Sequence, residues 1–242
     1  MSTTLIIPTY NEAENLPRLL ESLFQLPLID LNVLIVDDAS PDVTGDIAEE
    51  SKAKYPKRVN VLHRSGKLGL GSAYIQGFQH CLQMPVQFIG QMDADFSHEP
   101  VKILELHQAV ENCDMALGSR YILGGSLDER WAFWRKGLSA FGNFYARTIL
   151  NLPIRDVTGG FRLWRRETLA GMPLERVRSN GYVFQVEMAY VADKLGYRMC
   201  EIPIHFAERR WGKSKMSLRI QLEAALRVWW LIWLYRDLKR TK

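Results

Sequence analysis

Along the first half of the chain, short apolar runs rich in β-branched residues alternate with longer stretches in which apolar residues recur every three or four positions. Leu5 to Ile7, Val33 to Val36, Val59 to Leu62 and Phe88 to Met92 read as strands. Helices are predicted between them. Leu16, Leu19, Leu20 and Leu23 share one helical face after Asn11 and Glu12, and Pro17 sits early enough in that helix to be tolerated. Strand, helix, strand in repetition predicts an α/β fold, a mostly parallel sheet with flanking helices.

The second half loses the alternation. Gly124-Gly125 breaks the chain, an aromatic and basic stretch runs from Arg130 to Arg147, and Asp156 to Arg162 reads as a loop. A helix around Tyr182 to Leu195 and a strand pair near Met199 to Phe206 follow. Ala224, Leu226, Trp229, Trp230, Leu231, Trp233 and Leu234 then load a terminal helix with aromatics. The expected division is a body over 1–213 and a basic, Trp-rich amphipathic helix over 214–242. The longest apolar run there, Val228 to Tyr235, makes roughly 12 Å of helix against about 30 Å of bilayer hydrocarbon, too short to span it.

Composition adds little, but its distribution adds more. The 242 residues are 47% hydrophobic and 24% charged, an ordinary globular balance. Residues 1–120 carry 9 basic against 16 acidic side chains, whereas residues 121–242 carry 22 against 11, so the formal +4 hides an acidic half and a basic half. From Arg209 onward ten Lys or Arg face two acids. A basic protein invites a nucleic-acid reading, but an acidic leading half argues against it, and no nucleic-acid partner is expected. The start lacks a basic, apolar leader, and three widely spaced cysteines suit reduced thiols, so cytoplasmic residence is expected.

In a parallel sheet, ligands bind beyond the carboxyl ends of the strands. The polar residues gather there. Pro8-Thr9-Tyr10-Asn11-Glu12 follows the first strand, Asp37-Asp38-Ala39-Ser40-Pro41-Asp42 the second, and Asp93-Ala94-Asp95 the fourth. Two carboxylates one residue apart in a turn can converge on a divalent ion and a diphosphate, although a lone D-x-D matches freely and a solvated turn also explains it. Asp38 can accept from a nucleobase or ribose, Tyr10 offers a ring for stacking, and Asp42 suits a helix N-terminus. Jointly they point to a metal-dependent nucleotide site. The glycines of Gly66 to Gly71 fit neither the P-loop nor the dinucleotide fingerprint.

These three strand-end motifs resemble family 2 glycosyltransferases of the GT-A (nucleotide-diphospho-sugar transferase) fold. More narrowly, Gly69-Leu70-Gly71-Ser72-Ala73-Tyr74, Gly118-Ser119-Arg120-Tyr121, Gly159-Gly160-Phe161-Arg162, Gly181-Tyr182-Val183-Phe184-Gln185, and Arg209 with Gly212-Lys213-Ser214-Lys215 resemble the dolichyl-phosphate (polyprenyl-phosphate) mannose synthases, in order over nearly the whole chain. The resemblance implies inverting transfer of mannose from GDP-mannose to a dolichyl or polyprenyl phosphate, with Mg²⁺ or Mn²⁺ as cofactor. By position, Pro8, Tyr10, Glu12, Val36 and Asp38 would hold guanosine, and Asp93, Ala94 and Asp95 the diphosphate, metal and sugar. Arg209 and Lys215 would close over the diphosphate, and Arg120, Arg135 and Ser139 would meet the acceptor phosphate. Catalysis would then centre on Asp93, Asp95 and Arg120. Two positions after the last aspartate, where the family often has Gln, this chain has Ser97, so the metal would be held by Asp95 with Ser97 bound directly or through water.

Such an acceptor is lipid-borne, which makes a membrane surface a partner. The terminal helix, and the stretch with Trp131, Phe133, Trp134, Phe141, Phe144 and Tyr145, suit the headgroup layer, so peripheral attachment to the cytoplasmic face is expected. Room is left for a separate membrane subunit. Stacking and carboxylates do not separate guanine from uracil, so a UDP-glucose-dependent polyprenyl-phosphate glucosyltransferase stands as the alternative. A non-catalytic membrane adaptor or a nucleic-acid-binding α/β protein is more remote.

Overall fold

The computed structural model describes residues 2–207 and 218–240, with side chains in the second segment from residue 225. Its strands are β1 (Thr3–Thr9), β2 (Leu31–Asp37), β3 (Val59–His63), β4 (Phe88–Gln91), β5 (Met115–Ser119), β6 (Ser126–Leu127), β7 (Arg162–Arg165), β8 (Met199–Pro203) and β9 (His205–Phe206). Seven of them form one sheet in the order β3-β2-β1-β4-β7-β5-β8, and β6 pairs with β9 in a small second sheet. All neighbours in the large sheet are parallel except β7, which runs antiparallel to both β4 and β5. The strand order reverses between β1 and β4, where an open α/β sheet leaves its binding crevice.

The apolar runs of β1, β2 and β4 are buried on both faces, while β3, at the sheet's edge, is mostly half-buried. Along β1, Ile6 enters one core while Leu5 and Ile7 enter the other, and along β2 Leu34 and Val36 part from Val33 and Ile35 in the same way. That period of two across a covered sheet is why these strands read as unbroken apolar runs. One layer holds α1 (Leu16–Phe24), α2 (Thr44–Lys54) and α4 (Ile103–Val110). The opposite layer holds α3 (Leu70–Leu82), α5 (Phe133–Leu150), α7 (Tyr182–Lys194) and α8 (Leu218–Leu234); the short α6 (Arg166–Ala170) follows β7.

One expectation changes. The strands near Met199 to Phe206 do not pair with each other: β8 joins β5 and β9 joins β6, because Pro203 and Ile204 carry the chain from one sheet to the other. Three arginines of the basic second half cap helices. Arg165 donates to the carbonyls of Cys113 and Val110 at the end of α4, and Arg166 donates to Leu82 O at the end of α3. Arg176 donates to Leu234 O and to Asp237 at the end of α8. Cations are favoured there by the unpaired carbonyls and the helix dipole.

The terminal helix is also tied down by packing. Val228, Leu231 and Tyr235 are buried in the same core as α7. Tyr235 donates its hydroxyl to the Glu187 carboxylate at 2.7 Å, and Glu187 accepts the Ser179 amide at 2.8 Å. Burial and the neighbouring Glu187 push the Tyr235 phenol above its ordinary pKa, so it stays a donor. Tyr235→Phe is expected to lower unfolding stability by about 1.5–3 kcal/mol, the range for a hydrogen bond to a charged group, read from urea denaturation. An unchanged midpoint would mean that this bond does not anchor the helix.

Candidate active site

The carboxyl ends of β1, β2, β4 and β5 share one edge of the sheet, and antiparallel β7 brings its amino end, with the 156–161 loop, to that edge too. Backbone strain marks it. Asn11, Ala39 and Phe96, each just past a strand end, have φ of 61°, 50° and 59°, in the left-handed region that non-glycine residues seldom occupy.

Behind β1 and β2 the polar side chains lock one another. Asp37 accepts from Thr9 Oγ1 at 3.0 Å and from Ser40 Oγ at 2.6 Å, and the Asn11 amide reaches Ser40 Oγ at 3.1 Å. Glu12 accepts from Asn15 Nδ2 at 2.7 Å, while its own amide donates to Thr44 Oγ1. Asp42 accepts from the amide of Thr44, the first residue of α2, as its proposed N-terminal role requires. Asp38 lies beside β1's edge, ion-paired to Arg64 and accepting the Gly69 amide at 3.0 Å. Arg64 also donates to Ser72 Oγ at 2.7 Å, so one cation ties Asp38 to the start of α3. The start of α3 is closed from the other side: a side chain at Gly71 would lie 2.3 Å from Ser179 O, so only glycine fits.

Pro8 and Val36 are neighbours in register across β1 and β2. Tyr10 is half-buried, and the Lys67 ammonium sits 3.5 Å above its ring centroid. Base stacking on that face of Tyr10 therefore requires Lys67 to move. This cation–π contact was not part of the expected stacking arrangement.

At β4, Asp93, Ala94 and Asp95 enter a tight turn. Asp95 accepts the Ser97 amide at 3.0 Å, and Tyr74 reaches Asp93 Oδ1 at 3.4 Å. His98 is buried, stacked on Phe161 with 5.1 Å between centroids, and burial holds its pKa below the ordinary value although Asp93 and Asp95 pull it up. Ser97 Oγ is fully buried and without a hydrogen-bond partner among the described residues. A buried hydroxyl left unmet next to a carboxylate suits a hard cation, so Asp95 and Ser97 fit a divalent ion. Among the described residues no three His, Cys, Asp or Glu side chains converge as a cage.

Beyond β5, Arg120 is 9% exposed and Asp156 is fully buried. Asp156 takes three bonds from Arg120: the backbone amide at 3.0 Å, Nε at 2.7 Å and Nη2 at 2.7 Å; Thr158 Oγ1 takes Nη2 at 2.6 Å. Burial works against the Asp156 charge, yet the Arg120 guanidinium and these bonds hold its carboxyl below the usual range. The Arg120 guanidinium also lies 5.2 Å from the rings of Tyr121 and Phe206. Ser139 on α5 bonds the Tyr121 hydroxyl at 2.9 Å, and Arg135, one turn earlier, stacks on Trp131 at 3.7 Å. Trp131 in turn packs edge-on to Phe206, which packs edge-on to His98.

The structure thus brings Asp93, Ala94, Asp95, Ser97 and Arg120 to one edge, and Ser139 and Arg135 to the flank of Arg120. Arg209 and Lys215 lie outside the described residues. Sequence reasoning missed Arg64, Tyr74 and His98. Arg64 directly follows β3, so the strand-end rule applied to the third strand would have found it. His98 carried no local signal, because its ring neighbours come from the loop before β7 and from β9.

Residues 4–171 match the family model described as "Glycosyl transferase family 2". The chain is 44% identical over 228 residues, 94% of its length and 93% of the relative's, to "Undecaprenyl-phosphate mannosyltransferase" of Micrococcus luteus. It is 43% identical over 216 residues, 89% of its length and 81% of the relative's, to "Polyprenol monophosphomannose synthase" of Mycolicibacterium smegmatis. In fold it matches glucosyl-3-phosphoglycerate synthase from Mycobacterium tuberculosis, solved with Mn²⁺ and UDP, at TM-score 0.66 and 15% identity over 100% of this chain and 81% of that one. A mannosyltransferase from Pyrobaculum calidifontis, solved with GDP-Man and Mn²⁺, matches at TM-score 0.60 and 18% identity over 93% and 61%.

A carboxyl whose pKa is lower folded than unfolded stabilises the fold above the unfolded value, near 4, and loses that contribution as the pH falls through the folded value. Asp156→Asn should therefore cost about 3–5 kcal/mol at neutral pH, the range for breaking a buried ion pair from one side, and flatten the fall in stability below pH 4. Denaturation midpoints at pH 7 and about pH 2 test both. An equal loss at both pH values would remove the charge on Asp156 from the account.

Proposed function

The chain belongs to glycosyl transferase family 2, and from that premise we propose that it transfers mannose from GDP-mannose to a polyprenyl phosphate with inversion at the anomeric carbon. What carries the proposal is Arg120, a guanidinium fixed by Asp156 on the same edge as Asp93 and Asp95, in a chain 44% identical to a mannosyltransferase named for undecaprenyl phosphate. An acidic pair suits the metal-bound donor, and a fixed arginine suits an anionic acceptor.

The chemistry asks little of a general base. A phosphate monoester has a second pKa near 6 and is largely dianionic at neutral pH. Its oxygen attacks the anomeric carbon as the bond to the diphosphate breaks, and the electron pair leaves with GDP. The enzyme's task is to hold two anions in line and relieve their repulsion. Pro8, Tyr10, Glu12, Val36 and Asp38 are assigned to guanosine, Asp93, Ala94 and Asp95 to diphosphate and sugar, and Arg120, Arg135 and Ser139 to the acceptor phosphate. Asp156 and Thr158 take the Nε and Nη2 donors of Arg120 and so fix the guanidinium, which leaves Nη1 to meet a phosphate oxygen. Mg²⁺ or Mn²⁺ on Asp95 and Ser97 would neutralise the leaving diphosphate. Arg209 and Lys215 are assigned to the diphosphate on the resemblance alone.

A lipid-borne acceptor calls for a membrane surface, and the segment 214–242 is proposed to lie on it. On α8, Trp229 is 57% and Trp233 59% exposed; on α5, Phe141 is 64% and Phe144 62% exposed. The two faces are joined, since Trp229 Nε1 donates to Tyr145 OH at 2.9 Å and Phe141 packs on Tyr145. Arg236 lies over the Trp233 ring, and each cation near an anionic headgroup layer contributes about 1 kcal/mol. Among the described residues no helix is long and apolar enough to cross a membrane. Cys81, Cys113 and Cys200 are unpaired, which suits the cytoplasmic face.

Asp95→Ala and Arg120→Ala are each expected to lower turnover of GDP-mannose with a short polyprenyl phosphate by at least about 100-fold, with EDTA abolishing and Mg²⁺ or Mn²⁺ restoring the wild-type rate. Near-normal turnover in a folded variant, or full activity in EDTA, would sink the assignment concerned. Running UDP-glucose in parallel decides the donor. Trp229→Ser/Trp233→Ser should leave the vesicle layer in flotation with anionic liposomes and no other protein present. Equal partitioning of variant and wild type would mean that this face does not bind lipid directly and would favour docking on a separate membrane subunit.

A further inference from the structure

Gln185, the fourth residue of α7, is 2% exposed inside a helix buried from Val183 to Ala192. Its Nε2 has no hydrogen-bond partner among the described residues. An unmet amide donor at such a position costs about 1–3 kcal/mol, so its persistence asks for a ligand.

The orientation of that amide is fixed by chemistry. The Trp164 indole N–H can only donate, and it lies 2.8 Å from Gln91 Oε1. Gln91 must then present its Nε2 on the other side, where it meets Gln185 Oε1 at 3.4 Å. Gln185 is left with Nε2 facing away from this relay. What it faces is the edge of the sheet: a methyl group on Gly160 would lie 3.3 Å from Gln185 Nε2 and 3.9 Å from Asp93 Oδ2. Glycine therefore leaves a gap with an amide donor on one side and a carboxylate acceptor on the other. Asp93 meets Tyr74 through its other oxygen, Oδ1. A hydroxyl, like a water, accepts one hydrogen bond and donates another from a single atom, and a sugar brings a hydroxyl to this edge.

We propose that Gln185 is a specificity-determining residue of the sugar subsite: its Nε2 donates to one hydroxyl of the transferred hexose, that hydroxyl donates to Asp93, and Gly160 provides the space. Trp164 and Gln91 act as positioning residues that keep the amide turned toward the sugar. This rests on the glycosyl-transfer reading of the site. It adds a reason for Gly160 and Gln185 that the phosphate and metal contacts do not supply.

The test is steady-state kcat and KM for the nucleotide sugar that the wild type uses, and for its four monodeoxy analogues at positions 2, 3, 4 and 6, with wild type, Gln185→Met and Gly160→Ala. Gln185→Met keeps the side-chain length and removes the donor; Gly160→Ala keeps the amide and fills the gap. The wild type is expected to disfavour one deoxy donor by about 10- to 100-fold in kcat/KM. Both variants should lose a similar factor on the intact donor and disfavour that deoxy donor no further. If either folded variant is weakened equally on every donor, with discrimination intact, or if the wild type accepts all four deoxy donors equally, the gap holds a water and the proposal falls. The deoxy series is built on whichever hexose is transferred, so failure of the mannosyl reading shows in the choice of donor and failure of this one in the lost discrimination.

Discussion

Charge gathered at the edge of a buried sheet has to be answered by opposite charge or by hydrogen bonds, and the arrangement of this edge follows from how that is done. Asp156 is fully buried and has its carboxylate satisfied by Arg120 and Thr158. Neither partner could sit there alone, since stripping one leaves an uncompensated charge out of water. Asp38 and Arg64 make a second such pair at the other end of the crevice. Each pair fixes more than itself: Arg64 pins the turn into α3 through Ser72, and Asp156 fixes both the backbone and the side chain at position 120. The two ends of the crevice, proposed for the acceptor phosphate and for the nucleotide, are thereby set as rigid supports with the acidic turn of Asp93 to Asp95 between them.

The antiparallel β7 makes this geometry possible. In a fully parallel sheet, a loop entering a strand would lie at the edge opposite the site. By running against its neighbours, β7 delivers the loop from Asp156 to Phe161 to the edge where β4 and β5 end. That loop holds the partner of Arg120, the ring under His98 and the glycine beside Asp93. One reversal of strand direction therefore supplies positioning groups from the second half of the chain to an acidic site built by the first half.

This division explains what could be read in advance. The four strands of the first half and their terminal polar residues were legible because local pattern and the strand-end rule are both short-range in sequence. Asp93, Asp95 and Asp38 lie at the strand ends where that rule puts them. The order of β7, β5 and β8 was not legible, because the pairing of β7 between β4 and β5 spans some seventy residues of chain with no periodic signature. His98 was invisible for the same reason: its ring partners lie in the loop between Asp156 and Arg162 and in β9. The cation over Tyr10 was unreadable as well, since Lys67 reaches that ring from a glycine-rich turn whose path the sequence does not dictate.

The split of charge between the halves also changes meaning. A basic second half first suggests cations laid out for phosphate and lipid headgroups, yet several of its arginines are spent on the fold itself. Arg165, Arg166 and Arg176 close the carbonyl ends of α4, α3 and α8. Arg162 is buried, held by the carbonyls of Val157 and Gly159, and burial draws its pKa down to about 10. Such a guanidinium remains a cation at neutral pH and adds positive potential beside Asp156 and Tyr74 without facing solvent. Helix capping also has a functional side, for the cation that closes α8 holds the helix whose far face is aromatic and exposed. The same arginine-rich composition therefore serves two constraints: carbonyls at helix ends need donors, and a site for two anions needs positive charge that does not move.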